Sequence, residues 1–339
     1  MSFNPNDIGV ANGNFCGLPG NESDADIVII PIPWDATASY SRGTAEGPEA
    51  ILEASLQLDL YHHKYSKVYD RKIYMQPISK RIQEHNERLG GLTSEYISYL
   101  EEGNLLEDSP KYINVIEEVN QVQNDIKQKL RADANDLIKE GKKVCVLGGE
   151  HSTPLGLIEA IGDNYESFGI LQIDAHADLR DAYEGFEQSH ASVMFNALKI
   201  DNLTHLVQVG IRDLCEDEVN IINEDSRITT FYDWAIKSEQ FQGVTWHKIC
   251  EEIIDRLPNN VFVSFDIDGL QPALCPNTGT PVPGGLSFEQ ASYLIQMLAD
   301  SDKNVVGFDL NEVAPGENEI NVIVGARMLM ELLLCTLNV

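Results

Sequence analysis

Short apolar runs alternate with longer amphipathic segments along most of the chain. The runs are bounded by Gly, Pro or Asp, which is typical of strands buried on both faces of a parallel sheet. The amphipathic segments carry apolar residues on one side of a helical repeat, which predicts helices with one buried face. The predicted strands are Ile27 to Pro31, Val144 to Leu147, Phe168 to Ile173, His205 to Val209, Val261 to Phe265 and Val305 to Leu310. The predicted helices are Pro48 to Leu58, Ile113 to Lys139, Pro154 to Ile161, Lys248 to Arg256, Phe288 to Ala299 and Val322 to Leu337.

This alternation of strands and helices predicts an α/β fold with a central, mainly parallel sheet covered on both faces. This alternation is interrupted between Tyr61 and Ser109, where charged residues are dense and the apolar periodicity is weak. The stretch is flanked by no Gly/Ser-rich linker, and the chain contains no repeat or low-complexity tract. We therefore predict a single domain over residues 1–339 that carries an insertion around residues 61–109.

Composition and charge narrow the class of protein. Of the 339 residues, 43% are hydrophobic, which indicates a folded globular chain. The formal net charge of -30 would repel nucleic acid and anionic membranes and would favour a small cationic ligand. The six cysteines include no C-x-x-C pair, and the N-terminus lacks the apolar segment of a signal peptide. These features predict a cytoplasmic protein with reduced thiols and no membrane span.

The apolar run that ends at Ile173 leads into Asp174, His176 and Asp178. Alternate residues of an extended chain share one side, so we expect these three side chains to converge. In a parallel sheet they would do so at the carboxyl end of the strand, where α/β proteins build their sites. By itself, this D-x-H-x-D pattern fits a metal site and a polar turn about equally well.

Two further predicted strands end in residue types that bind metals. Asp266 and Asp268 lie at the end of one, and His151 follows the paired glycines in the sequence GGEH at the end of another. Buried carboxylates are costly unless cations neutralise them, so two unrelated acidic loops are the weaker interpretation. Two imidazoles and four carboxylates suit a pair of Mn²⁺ ions, with Co²⁺, Ni²⁺ or Zn²⁺ as substitutes. Such a pair can deprotonate a shared water near neutral pH.

The order of motifs along the chain resembles the ureohydrolase family of arginases and agmatinases, and agmatinases most. The motifs are GGEH, DAHADLR, SHAS, SFDIDGLQP, TGTPVPGG and NEVAP, with SRGTAEGPEAI near the N-terminus. The resemblance spans most of the chain. It implies an arginase-like three-layer α/β/α sandwich, two Mn²⁺ per subunit and a homo-oligomer, either a trimer or a hexamer.

The resemblance also implies roles for individual side chains. His190, in SHAS, would pass a proton to the leaving amine, because an amine anion is a very poor leaving group. Glu312, in NEVAP, would pair with the guanidinium of the substrate through both carboxylate oxygens. Which carboxylates bridge the two metals stays open between Asp174 together with Asp178 or Asp268. The implied metal ligands are His151, Asp174, His176, Asp178, Asp266 and Asp268.

The predicted reaction is hydrolysis of a small cationic guanidino compound to urea and an amine, with agmatine as first choice. The loop before His190 lacks the Asn/Ser-rich stretch of arginases, and Cys215 stands where an acidic residue would hold the α-amine of arginine. Arginase, formiminoglutamase or another guanidino-acid hydrolase stays open, because Gln271 replaces a family aspartate and DLR also occurs in formiminoglutamases. A non-catalytic metal-binding protein is the weaker alternative, because every matched position is filled.

Overall fold

The structure, a computed structural model, describes residues 3–65 and 67–337. One eight-stranded sheet organises it, and every pair of neighbouring strands runs parallel. The strands are β1 (Ile27–Ile32), β2 (Ile73–Met75), β3 (Lys143–Gly148), β4 (Phe168–Ile173), β5 (Leu203–Ile211), β6 (Ile228–Tyr232), β7 (Asn260–Asp266) and β8 (Asn304–Asn311). Their order across the sheet is β2-β1-β3-β8-β7-β4-β5-β6.

Helices connect most of the strands, as parallel pairing requires. Those of the described residues are α1 (Gly47–Ser55), α2 (Lys80–Glu101), α3 (Pro110–Lys139), α4 (Leu155–Asn164), α5 (Val193–Ala197), α6 (Glu216–Glu224), α7 (Asp233–Phe241), α8 (Trp246–Asp255), α9 (Phe288–Asp300) and α10 (Ile320–Thr336). Within residues 3–65 and 67–337, no helix combines the length and the apolar character needed to cross a membrane.

Alternate side chains of the central strands enter two separate hydrophobic cores. In β1, Ile27 and Ile29 belong to one core, whereas Val28 and Ile30 belong to the other. Helices α1, α7, α8, α9 and α10 contribute to the first core, and α2 to α6 contribute to the second. Because both faces of the sheet are buried, its central strands are mostly apolar rather than alternating. The predicted three-layer α/β/α sandwich is confirmed.

The six strands and six helices predicted from the sequence are all present, with ends shifted by a few residues. The structure adds β6, α5, α6 and α7, and it places two regular elements in residues 61–109, where the sequence analysis assigned none. Strand β2 pairs with β1 at the edge of the sheet, and α2 packs Leu89 and Tyr96 into the second core. Apolar residues are too sparse in α2 and too few in β2 for the pattern to indicate them.

The carboxyl ends of four central strands meet at one edge of the sheet. Strands β3, β8, β7 and β4 are consecutive neighbours in the sheet. Their last residues are Gly148, Asn311, Asp266 and Ile173. The motifs GGEH, NEVAP, SFDIDG and DAHAD follow or overlap these ends, so the sheet order brings four distant parts of the sequence to one place.

Candidate active site

The segment after β4 directs three side chains inward. Asp174 and Asp178 are buried, and His176 is partly exposed. The backbone of Asp178 adopts a positive φ of 55°, so the chain turns there instead of continuing as an extended strand. The three side chains therefore converge through a turn rather than along an extended strand. Asp174 accepts hydrogen bonds from Gln172 Nε2 at 2.9 Å and from the backbone N–H of His176 at 2.7 Å.

Three carboxylates surround one nitrogen of His151. Oxygens of Asp174 and Asp178 each lie 3.0 Å from His151 Nδ1, and an oxygen of Asp266 lies 3.3 Å away. His151, Asp174 and Asp178 form a group whose ligand atoms could hold one metal ion. The side chain of Asp266 adds a fourth candidate ligand, and its other oxygen accepts a hydrogen bond of 2.8 Å from the N–H of Asp268.

A second group of candidate ligands shares Asp174 with the first. His176 Nδ1 lies 3.0 Å from an oxygen of Asp268 and 3.7 Å from Asp174 Oδ1. Asp174, His176 and Asp268 together could hold a metal ion. The other oxygen of Asp174, Oδ2, is the one that faces His151. The two oxygens of one buried carboxylate therefore point into two adjacent groups.

The chemistry of these groups fits a cation. His151 Nδ1 is buried and has no hydrogen-bond partner, although oxygens of three carboxylates lie within 3.3 Å of it. A single ring proton could serve only one of the three. Burial and repulsion from Asp174 raise the pKa of Asp178 to about 7. Burial lowers the pKa of His151, but the neighbouring carboxylates outweigh it and leave that pKa well above its ordinary value. Divalent ions would replace these protons, and N/O ligands suit metals such as Mn²⁺.

The other nitrogen of His151 is held by residues that the sequence analysis did not single out. Ser264 Oγ lies 2.9 Å from His151 Nε2, and Asp309 Oδ1 lies 3.6 Å from it. Asn311 donates a hydrogen bond to Asp309, which is fully buried within β8. Burial raises the pKa of Asp309 to about 7. A charged residue inside the apolar run of β8 was a signal that could have marked it.

Glu312 lies directly after β8, beside the first group. Its backbone φ is 63°, which is uncommon for a residue with a side chain and turns the carboxylate toward the site. Glu312 Oε1 accepts a hydrogen bond of 2.9 Å from the N–H of His151. Burial raises the pKa of Glu312 to about 8. A cationic group bound at this carboxylate would favour its ionised form.

His190 lies beside Glu150 of the GGEH turn. Its Nε2 is 3.1 Å from Ser39 Oγ, and its Nδ1 is 3.8 Å from an oxygen of Glu150. The ring of Tyr183 meets the imidazole edge-on, with 6.1 Å between centroids. Burial lowers the pKa of His190, but Glu150 and other carboxylates raise it above its ordinary value. The structure thus brings all eight predicted site residues to one edge of the sheet.

Sequence and structure comparisons relate the chain to known proteins. A model of the arginase family matches residues 25–335. An N(1)-aminopropylagmatine ureohydrolase of Synechocystis sp. is 32% identical over 296 residues, which cover 86% of this chain and 83% of the relative. An agmatinase of Neisseria meningitidis serogroup A is 30% identical over 335 residues, which cover 95% of this chain and 92% of the relative.

A solved structure is similar as well. The agmatine ureohydrolase of Thermoplasma volcanium superposes with a TM-score of 0.71 at 23% identity, and the match covers 97% of this chain and 96% of that protein. The chain therefore belongs to the arginase family of ureohydrolases.

Proposed function

We propose that this chain hydrolyses agmatine to putrescine and urea in a metal-dependent reaction. The observation that carries the proposal is the convergence of two metal-ligand groups and a buried glutamate at the ends of adjacent parallel strands, with a histidine from the loop after β4 beside them. The glutamate, Glu312, hydrogen-bonds to the N–H of the ligand residue His151, and the histidine, His190, lies beside the neighbouring Glu150. The proposal thus assigns a nucleophile source, a guanidinium partner and a proton donor to neighbouring residues.

The six candidate ligands suit two Mn²⁺ ions, which Co²⁺, Ni²⁺ or Zn²⁺ could replace. We assign His151, Asp174, Asp178 and Asp266 to one ion, and Asp174, His176 and Asp268 to the other. The two oxygens of Asp174 face the two groups, so this carboxylate could serve as a ligand in both. When bound, such ions would lower the pKa of a bound water molecule and supply a nucleophile near neutral pH.

The residues of the chain account for the remaining needs of the reaction. Glu312 can accept hydrogen bonds from a guanidinium and hold its carbon next to the metal groups. After hydroxide adds to that carbon, the bond to the alkyl-bearing nitrogen breaks, and this nitrogen takes a proton from His190. The added oxygen loses its remaining proton to solvent as the carbonyl of urea forms. The raised pKa of His190 favours the protonated imidazole that this step requires.

The proposal that the substrate is agmatine rests on the agmatinase relatives and on the motif pattern. The Neisseria agmatinase matches 95% of the chain. N(1)-aminopropylagmatine is the second candidate, because the Synechocystis relative that carries its name is 32% identical. Both compounds present a guanidinium on a chain that ends in an amine rather than an amino acid, which agrees with Cys215 at the position expected for an α-amine partner.

A urea-release assay on the Mn²⁺-loaded protein tests the proposal. The compounds are agmatine, N(1)-aminopropylagmatine, arginine, guanidinobutyrate, guanidinopropionate and guanidine, each before and after chelation. We expect the highest kcat/KM with agmatine and loss of activity after chelation. Asp268→Asn should lose urea release, whereas Asp302→Asn, whose side chain is 91% exposed, should keep it. No urea from any compound would contradict the proposed function, and a preference for another compound would contradict agmatine.

The proposal also covers the domain organisation, the oligomeric state and the cellular location of the protein. We propose a single domain over residues 1–339, because strands from Ile27 to Asn311 share one sheet. We propose a homo-oligomer, a trimer or a hexamer, on the family resemblance. We propose a cytoplasmic location, which agrees with six unpaired cysteines.

A further inference from the structure

Two buried polar atoms without hydrogen-bond partners face each other beside the metal-ligand groups. They are Glu150 Oε2 and His190 Nδ1, which lie 3.8 Å apart. Buried polar atoms are nearly always paired, so an unpaired donor next to an unpaired acceptor indicates an interaction that tightens in another state. A small rotation of the His190 imidazole would bring the two atoms within hydrogen-bond distance.

Several hydrogen bonds fix the orientation of Glu150 at the turn. Its other oxygen, Oε1, accepts hydrogen bonds from Thr37 Oγ1 and, at 2.8 Å, from Ser152 Oγ. Gln123 of α3 donates to Ser152 Oγ at 3.3 Å. The backbone N–H of Glu150 donates to the carbonyl of Trp34 at 2.8 Å. The network occupies Oε1 and leaves Oε2 as the oxygen that faces His190.

We propose that Glu150 is a positioning residue that sets the orientation and the tautomer of His190. This inference rests on the proposed function, in which His190 protonates the leaving amine. An ionised carboxylate only accepts hydrogen bonds, so the nitrogen that faces it must carry a proton. Glu150 therefore keeps the proton on Nδ1 and leaves Nε2 to exchange protons with the substrate.

The other contact of the imidazole is compatible with this assignment. Ser39 Oγ, 3.1 Å from His190 Nε2, can donate or accept a hydrogen bond, so it tolerates either protonation state of Nε2. During the reaction the N–H bond at Nε2 breaks, and a new N–H bond forms on the leaving amine. The electrons of the broken N–H bond stay on Nε2, and the proton on Nδ1 stays opposite Glu150.

Glu150→Gln tests the assignment with little change in shape. The Gln oxygen can still accept from Thr37 and Ser152, but its NH₂ group then faces His190 Nδ1 and favours the opposite tautomer. We expect kcat for agmatine to fall about 10- to 100-fold while KM and bound metal change little. Because Glu150 would act through His190, the same substitution should cost nothing further in a His190→Asn background. Equal losses in both backgrounds would overturn the proposal.

A measurement that needs no turnover separates this inference from the proposed function. The ¹⁵N-histidine NMR spectra are recorded on the protein loaded with diamagnetic Zn²⁺, at a pH above the pKa of His190, where its imidazole is neutral. The His190 signals are those missing from His190→Asn. We expect the Nδ1–H tautomer in the unaltered protein and the Nε2–H tautomer in Glu150→Gln. Glu331→Gln is the matched control, since Glu331 lies 3.1 Å from His62 in a Glu–His pair outside the site. It should leave the His190 signals unchanged, and an unchanged tautomer in Glu150→Gln would overturn the proposal.

Discussion

Individual carboxylates determine how this site responds to pH. Asp178 and Asp266 are buried beside other carboxylates, and burial together with that repulsion raises the pKa of each. His151 shares their space, and its pKa lies well above the ordinary value. Without cations, bound protons reduce this repulsion. Because metals bind the deprotonated forms, metal ions and protons must compete for the same atoms.

Metal affinity is accordingly expected to fall as the pH is lowered. Below the pKa of about 7 at Asp178, each bound proton that a metal must displace reduces the apparent affinity about tenfold per pH unit. Titration calorimetry of the metal-free protein with Mn²⁺ at pH 6, 7 and 8 would measure this. Repeating it in two buffers of different ionisation enthalpy would count the protons released. Equal affinities at the three pH values would contradict the prediction.

Eight site side chains could be predicted from the sequence, since ligand types at strand ends and a family pattern both mark them. Their supporting residues could not. Thr37 reaches Glu150 across 113 positions of sequence, and Ser264 reaches His151 across the same separation. A serine or threonine has no signature for such a role, because its partner is chosen by the order of strands in the sheet. Asp309 is the exception, since a charge in a buried strand is itself unusual.

Helix α2 contacts the loop that leads to His190 as well as the second core. Its Tyr96 hydroxyl donates a hydrogen bond of 2.9 Å to the carbonyl of Glu184, in the loop that leads to His190. The Tyr96 ring also packs edge-on against Phe186. Asn120 of α3 donates to the carbonyl of the adjacent Gly185 at 3.1 Å. A residue of α2, within residues 61–109, therefore helps to fix the loop that leads to His190. No local sequence pattern could indicate this contact.

Removing one hydroxyl tests this contact. Tyr96→Phe leaves the ring in place but leaves the Glu184 carbonyl without its partner, at a cost of about 1 kcal/mol. If that cost falls on the ordered loop, kcat/KM for agmatine should fall about fivefold. Tyr99→Phe on the same helix is the control, because the Tyr99 hydroxyl lies 3.4 Å from the carbonyl of Leu105, away from this loop. Equal effects of the two substitutions would argue against a role for α2 in the site.

The charge of the whole molecule acts over longer distances than any of these contacts. The excess of 54 Asp and Glu over 24 Lys and Arg gives a net charge of -30, and the candidate site is itself rich in carboxylates. Even with two divalent ions bound, the protein stays strongly negative. A dicationic substrate such as agmatine would be attracted before it touches the site.

Salt should therefore weaken the capture of agmatine. Raising the ionic strength from about 0.01 M to 0.15 M shortens the Debye length from about 30 Å to about 8 Å. We expect kcat/KM for agmatine to fall severalfold over this range while kcat changes little, because screening slows the encounter and leaves the buried chemistry intact. Guanidinobutyrate has a similar length but no net charge, so its competitive inhibition constant should depend far less on salt. A salt dependence that is equal for the two compounds would show that the charge of the molecule does not steer its substrate.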